Sequence, residues 1–416
     1  MAYIEHLHTQ EIELGLDRVR AVYGRLPKLS CPVITIGGTN GKGSTTAFLE
    51  AIYLAAGYRV GAYFSPHLVR YNERMRIGGR EVEDDVVCRA FAKVEAARGD
   101  RPLTYFEFGT LVALVLFAEA ALDVVILEVG LGGRLDAVNV VEPAVAVVVS
   151  VGTDHQDWLG PNREIIGREK AGIFRAGRPA VIGFDVTESV THEAERLGAP
   201  IYLGGRDFHY MAARHQWRYV SEAGARDLPH PALRGGYQLA NAACALAAID
   251  ALPTLAVSTG AIRQGLSDVR LAGRFQSLPG SPQVILDVAH NVEAAEVLAR
   301  TLAEQPVAGR TLAVVGMLKD KPVADVFRVL AGSFDEWFVA SLADPRGADG
   351  AFLASALADL GRTARGIYQD PIAACEAALA IAATGDRVVI FGSFKTVGVI
   401  LEHVASKRAG GGGGAI

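Results

Sequence analysis

The chain has 416 residues, half of them hydrophobic and 21% charged, a balance that excludes a disordered polypeptide. At about 100–200 residues per domain, this length predicts two or three domains. Lys and Arg number 41 against 46 Asp and Glu, and the net charge of −5 argues against a general nucleic-acid binder while leaving room for a local phosphate pocket.

In chain order, short Val- and Ile-rich runs alternate with longer amphipathic segments. Residues 33–36, 59–63, 123–128, 144–149 and 179–182 are almost continuously apolar and often end in Gly or a polar turn. Such runs predict strands buried on both faces of a parallel sheet. Helices are expected between them over 44–56, 84–97 and 108–122, and the alternation predicts an α/β fold. Residues 207–221 interleave Phe208, Tyr210, Trp217 and Tyr219 with polar residues and read as a small antiparallel patch. An Ala-rich helix is expected over 237–252. At 267–282 (SDVRLAGRFQSLPGSP) Gly and Pro cluster and no apolar period holds, so the domain boundary is placed there. A second α/β set follows, with strands expected at 284–288, 312–316, 336–340 and 387–391. The closing RAGGGGGAI reads as a flexible tail.

The four cysteines, Cys31, Cys88, Cys244 and Cys375, form no CxxC pair, which speaks against a disulfide framework and for a reducing compartment. The opening MAYIEHLHTQEIE lacks the apolar core of a signal peptide. The most apolar stretch, 111–129, carries Glu119, Asp123 and Glu128, which a membrane span tolerates poorly. The expectation is a soluble cytoplasmic protein without membrane contact.

Residues 33–46 read VITIGGTNGKGSTT: a strand, a Gly-rich turn holding one Lys, then a helix starting at hydroxyl residues. Glycines let backbone N–H groups turn inward onto phosphate oxygens, and the helix N-terminus adds unpaired donors. Lys42 supplies a point charge for the terminal phosphates, and Ser44 or Thr45 can place a hydroxyl on a magnesium ion. Gly43 between Lys42 and Ser44 departs from the common GxxxxGK[ST] pattern. An ordinary flexible loop is the alternative, disfavoured because both flanks carry the elements the motif requires.

Glu128 ends the run 123–128 ahead of a Gly-rich turn, at the strand end where open α/β sheets bind ligands. A carboxylate there suits Mg²⁺; a solvated strand end is the alternative. His155 follows the run 144–149 between Asp154 and Asp157 and can ligate a metal, move a proton or simply brace a turn. Lys170, in REKAGI, reads as a solvated helix face, and Glu164 with Arg168, or Glu169 with nearby cations, as simple helical ion pairs. In VILDVAHN, Asp287, His290 and Asn291 sit where a strand gives way to a helix, as site residues or as an N-cap. Arg274, in the inter-domain stretch, can reach ligand phosphates or remain a plain linker residue.

Together and in this order, GTNGKGS (38–44), SPHLVRYNERMRI (65–77), TYFEFGT (104–110), LEVGLGGRLDAVN (127–139), DHQDWLG (154–160), GREKAGIF (167–174), GRFQ (273–276), DVAHN (287–291) and GSFKTV (392–397) resemble the folylpolyglutamate synthase/dihydrofolate synthase family, the folate branch of the Mur-ligase superfamily. The resemblance implies a P-loop-type, mostly parallel sheet flanked by helices over 1–270, with the pterin site. It implies a hinge at 271–282, a smaller Rossmann-like α/β domain over 283–408 and a tail at 409–416. It assigns Thr39, Asn40, Gly41, Lys42, Gly43 and Ser44, with Asn241, Arg274 and Asp287, to ATP. It assigns Ser65, Glu128, His155 and Lys170, the last as a carbamate, to two Mg²⁺ ions, with Lys42, His155 and Lys170 as catalytic residues. Ile12, Glu13, Leu14, Thr104, Tyr105, Phe106, Glu107 and Leu135 fall where the bifunctional members bind dihydropteroate. The complete TYFEFGT favours a bifunctional enzyme over one that only extends polyglutamate tails. The short N-terminal segment and the compact turn 27–32 are the modest departures.

The implied enzyme is a monomeric, ATP-dependent amide ligase joining L-glutamate to dihydropteroate and to reduced folates through an acyl phosphate. Closure of the second domain would exclude water and bring Arg274 and Asp287 to the nucleotide. Its rivals are an amino-acid ligase acting on a peptidoglycan precursor, a nucleotide switch and a transport ATPase.

Overall fold

The Val- and Ile-rich runs become strands because their branched side chains fill a pleated surface on both faces. The computed structural model describes Ile4, Leu7, His8 and residues 12–409, so the Gly-rich tail beyond 409 lies outside the described residues. The described residues within 1–67, 71–232 and 237–270 make one unit, and those within 68–70, 233–236 and from 271 onward make a second.

The first unit is built on β1 (Val33–Gly37), β2 (Val60–Tyr63), β3 (Met75–Ile77), β4 (Arg80–Glu81), β5 (Val124–Glu128), β6 (Val145–Ser150), β7 (Ala180–Asp185) and β8 (Ile201–Leu203). Their order is β4-β3-β2-β5-β1-β6-β7-β8. From β2 to β8 every neighbouring pair is parallel; β3 and β4 add an antiparallel edge. β1, β2 and β5 are buried at every residue, as continuous apolar runs require. The helix Tyr105–Glu119 is apolar on all sides and is almost wholly buried against this sheet's core. It starts three residues earlier than the sequence predicts, because Thr104 and Glu107 form a reciprocal capping box.

The aromatic patch is a three-stranded antiparallel sheet, β9 (Phe208–Ala212), β10 (Gln216–Ser221) and β11 (Gly224–Pro229). Its inward residues Phe208, Trp217 and Tyr219 are buried. Asp250, at the end of the helix Tyr237–Asp250, pins it by accepting from Tyr219 Oη at 3.0 Å, Ser221 Oγ at 2.8 Å and Arg226 Nη2 at 2.8 Å.

The second unit holds β12 (Gln276–Leu278), β13 (Gln283–Leu286), β14 (Thr311–Val315), β15 (Glu336–Ala340), β16 (Ala364–Tyr368) and β17 (Arg387–Phe391), in the order β12-β13-β17-β14-β15-β16. All pairs are parallel except β12 with β13. β12 lies inside the stretch that the sequence marks only as a break, because an edge strand needs no sustained apolar run. Among the described residues no helix is long and apolar enough to cross a membrane.

Asp250→Ala would leave the half-buried Arg226 guanidinium and the Tyr219 hydroxyl without their acceptor. The expected cost is about 3 kcal/mol, read as a lower urea midpoint. A change below about 0.5 kcal/mol would show that this carboxylate does not hold the sheet.

Candidate active site

Four adjacent parallel strands, in the order β2-β5-β1-β6, end in the four loops that carry SPHL, EVGLGG, GTNGKGS and DHQDWLG. Carboxyl ends of parallel strands are where such sheets bind ligands. The fold thus brings together segments that lie more than 100 residues apart in sequence, as Thr39 and Gly152 do at a separation of 113.

The turn after β1 is held on both sides. Thr39 N donates to Ser150 O at 2.8 Å, and Asn40 N to Ser150 Oγ at 3.1 Å. Gly152 N donates to Thr39 Oγ1 at 2.8 Å. Gly41 takes φ +85° at the start of the helix Lys42–Ala55, and a Cβ there would collide with Asn241 Oδ1. Asn241 therefore abuts the loop, held by its own donation to Gln238 Oε1 at 3.0 Å. The helix begins at Lys42, two residues earlier than expected, with Gly43 and Ser44 buried in its first turn.

Lys42 Nζ donates to Gly38 O at 2.9 Å and Thr39 O at 3.1 Å. Lys170 Nζ donates to the same Gly38 O at 3.1 Å. Lys170 is 4% exposed, so the solvated-face reading fails: its helix, Arg163–Ala171, turns this lysine into the sheet. Burial, then the ammonium of Lys42, pull its pKa down to about 7. Glu169 pairs not within the helix but with Arg134 of the Gly-rich turn, at 2.8 Å, and Glu164 accepts from Ser189 N.

Ser65, just after β2, donates its backbone N–H to Glu128 Oε2 at 3.0 Å. Its hydroxyl Oγ is buried and has no hydrogen-bond partner. An orphaned hydroxyl beside a buried carboxylate is a hard-oxygen pair that fits a divalent ion of the Mg²⁺ class. His155 lies on the loop after β6, at φ +59°, half exposed, with its backbone N–H donating to Asp154 Oδ1 at 2.9 Å. Asp154 in turn acts electrostatically on Lys170. Among the described residues no three His, Cys, Asp or Glu side chains cluster as a metal cage. The candidate ligands are thus one carboxylate, one hydroxyl, one imidazole and a lysine.

The residues that the resemblance assigns to the acceptor fall in two groups. Phe106 lies against the backbone of Gly130, where a Cβ would collide with its ring, so TYFEFGT and GLGG share one surface. Tyr105 stacks edge-on to Tyr71 with centroids 6.0 Å apart, and Leu135 is half-buried on the same Gly-rich turn. Thr104 and Glu107 bond each other in the capping box. Ile12, Glu13 and Leu14 form an irregular segment joined to this group through Arg18.

In the second unit, Asp287 accepts from Phe275 N and Ala289 N, both at 2.8 Å, and stitches GRFQ to DVAHN. Burial raises its pKa, with Arg274 opposing. Arg274 lies over the Phe394 ring at 5.0 Å. Asn291 is an N-cap, accepting from Ala294 N at 2.8 Å.

Sequence reasoning missed Arg18 and Asp136. Asp136 accepts from Leu131 N at 2.8 Å and Val138 N at 3.0 Å, shaping the Gly-rich turn, and burial pushes it up to about 6. An Asp two residues before the N–H it accepts was a legible turn signal. Arg18 gave none, since its partner Glu107 lies 89 residues away.

A parallel sheet ending in this loop, with a second α/β unit, defines a P-loop-type nucleotide-binding protein of two units. The Mur ligase middle domain matches residues 36–249, and the Mur ligase glutamate ligase domain matches 273–394. The dihydrofolate synthase/folylpolyglutamate synthase of Escherichia coli K12 is 47% identical over 415 residues, covering 99% of this chain and 96% of that protein. The structure of E. coli FolC in complex with DHPP and ADP has a TM-score of 0.93 at 47% identity, covering 98% of this chain and 97% of that one. A bifunctional folylpolyglutamate synthase/dihydrofolate synthase with Mn, AMPPNP and L-glutamate bound has a TM-score of 0.90 at 47% identity, covering 97% of each chain. The chain belongs to the dihydrofolate synthase/folylpolyglutamate synthase family of Mur ligases.

Proposed function

We propose that this chain, an ATP-dependent glutamate ligase acting on folates, joins L-glutamate both to dihydropteroate and to reduced folates through an acyl phosphate formed at the loop after β1. The observation that carries this reading is the convergence of Lys42 and Lys170 on Gly38 O, beside the Ser65–Glu128 pair. A carboxylate is a poor acyl donor because oxide would have to leave. Attack of its oxygen on the γ-phosphorus of ATP converts that oxygen into part of a phosphate leaving group, with ADP released. The amine of glutamate then attacks the acyl carbon and phosphate departs.

Both reactants of the first step are anions, so charge neutralisation and positioning dominate the barrier. The loop amides of 39–44 and the Lys42 ammonium neutralise the transferred group, and Asn241 fixes the loop against its own helix. Arg274 and Asp287 keep their assignment to the nucleotide, and Ile12–Leu14, Thr104–Glu107 and Leu135 theirs to the pterin acid. Ser65, Glu128, His155 and the carbamate of Lys170 would hold Mg²⁺, which when bound offsets the negative charge of the phosphates. The Lys170 amine, with a pKa of about 7, is in good part neutral at pH 7 and so able to take up CO₂. The amine nitrogen bonds to the CO₂ carbon and loses one proton to solvent, and the product is a carbamate, an acidic oxygen ligand in place of a cation. We place the reaction in the cytoplasm, consistent with four free cysteines.

Two outcomes follow. Sustained, multiple-turnover ADP formation should require both glutamate and dihydropteroate or tetrahydrofolate, and Lys42→Ala should lower kcat by ~10²-fold or more. ADP formation that continues over many turnovers without glutamate, or wild-type turnover in the variant, would count against the proposal. Protein in ¹³C-bicarbonate should show a carbamate carbonyl signal in NMR that is lost in Lys170→Met. It should weaken as pH falls below about 7, because protonation removes the nucleophilic amine. A signal that survives in Lys170→Met would refute the assignment.

A further inference from the structure

The acceptor site gathers two segments distant in sequence, 12–14 and 104–107. One side chain outside that assignment touches both. Arg18 lies in the first turn of the helix Asp17–Tyr23. Toward the buried segment its Nε donates to Glu107 Oε2 at 3.3 Å and its Nη2 to Glu107 Oε1 at 3.0 Å. Toward the N-terminal segment its Nη1 donates to Glu13 Oε1, and its Nη2 donates to Glu13 O at 2.9 Å. His8 Nε2 lies 2.8 Å from Glu13 Oε2.

The two carboxylates are not equivalent. The Glu107 side chain is 5% exposed, and its Oε2 also accepts from Thr104 N at 2.8 Å. It is committed to the helix cap and to Arg18. The Glu13 side chain is 40% exposed, so it is the carboxylate a ligand can reach. A guanidinium is a rigid planar fork that can serve two carboxylates at once, whereas a lysine is a point charge on a flexible stem.

We propose that Arg18 is a positioning residue for the acceptor substrate: anchored on Glu107, it holds Glu13 in place to receive the pterin ring. The pterin edge carries an amide N–H beside an amino group, a donor pair that a fixed carboxylate accepts with both oxygens. Glu107 then acts through Arg18 rather than on the substrate. This inference rests on the acceptor reading made above.

Steady-state kinetics on the full chain test it, with Glu13→Gln, Arg18→Lys, Arg18→Met and the double variant Glu13→Gln/Arg18→Met. Each single variant should raise KM for dihydropteroate ~10-fold or more, Arg18→Lys least, with KM for ATP within about twofold. The double variant should be no worse than the worse single one, since Arg18 works through Glu13. A wild-type dihydropteroate KM in both Arg18 variants, with Glu13→Gln impaired, overturns the clamp and leaves the acceptor reading standing. A wild-type KM in Glu13→Gln overturns that reading and the inference with it. Additive losses in the double variant, or KM for ATP rising alongside that for dihydropteroate in Arg18→Lys, would show a merely structural role and overturn the clamp.

Discussion

Two lysine side chains, Lys42 and Lys170, donate to one carbonyl oxygen, that of Gly38. Burial first, and then repulsion from the Lys42 ammonium, depress the pKa of Lys170. A bound polyanion relieves that repulsion; under the proposed function, so does conversion of the Lys170 amine to a carbamate. A site that must bring a nucleotide triphosphate up to a carboxylate needs this excess of positive charge, because the reactants repel each other before any bond forms.

The sheet supplies the geometry for that charge. Strand order β2-β5-β1-β6 places the Ser65 turn, the Glu128 turn, the phosphate loop and the His155 loop side by side. Register carries this into atomic detail: Ile36 pairs with Glu128, and Gly37 with Val148. The glycines of LEVGLGG then allow close approach on both sides. Gly130 admits the Phe106 ring, and Gly133 lies against the Lys170 backbone. One short loop thus lies between the TYFEFGT segment and the lysine. The three-stranded sheet, though distant from these loops in sequence, bears on them through the helix Tyr237–Asp250, which carries Asn241 near one end and Asp250 at the other.

Much of this was legible in the residues. Strands such as 123–128 are apolar throughout because they are buried on both faces, and a continuous run is a strong signal. The phosphate loop announced itself through a strand, glycines, a lysine and hydroxyls in the right order. The elements that were missed lack that redundancy. β16, ARGIY, is an edge strand that alternates half-buried with exposed residues, and β12 lies among glycines and prolines. Lys170 looked solvated because local spacing cannot reveal that its helix packs its lysine against Gly38, 132 residues earlier. Arg18 was silent for the same reason: its meaning lies in Glu107, which only the fold brings near. Local chemistry is written in local sequence, whereas long-range pairing is written only in topology.

The central claim is that a substrate carboxylate oxygen is phosphorylated at the loop holding Lys42. Positional isotope transfer tests it most directly. Dihydropteroate carrying oxygen-18 in its carboxylate would be turned over with ATP and glutamate, and the released phosphate analysed by mass spectrometry. An acyl phosphate predicts that phosphate leaves with a heavy oxygen taken from the acid. Phosphate wholly free of the label, alongside normal amide product, would contradict the account.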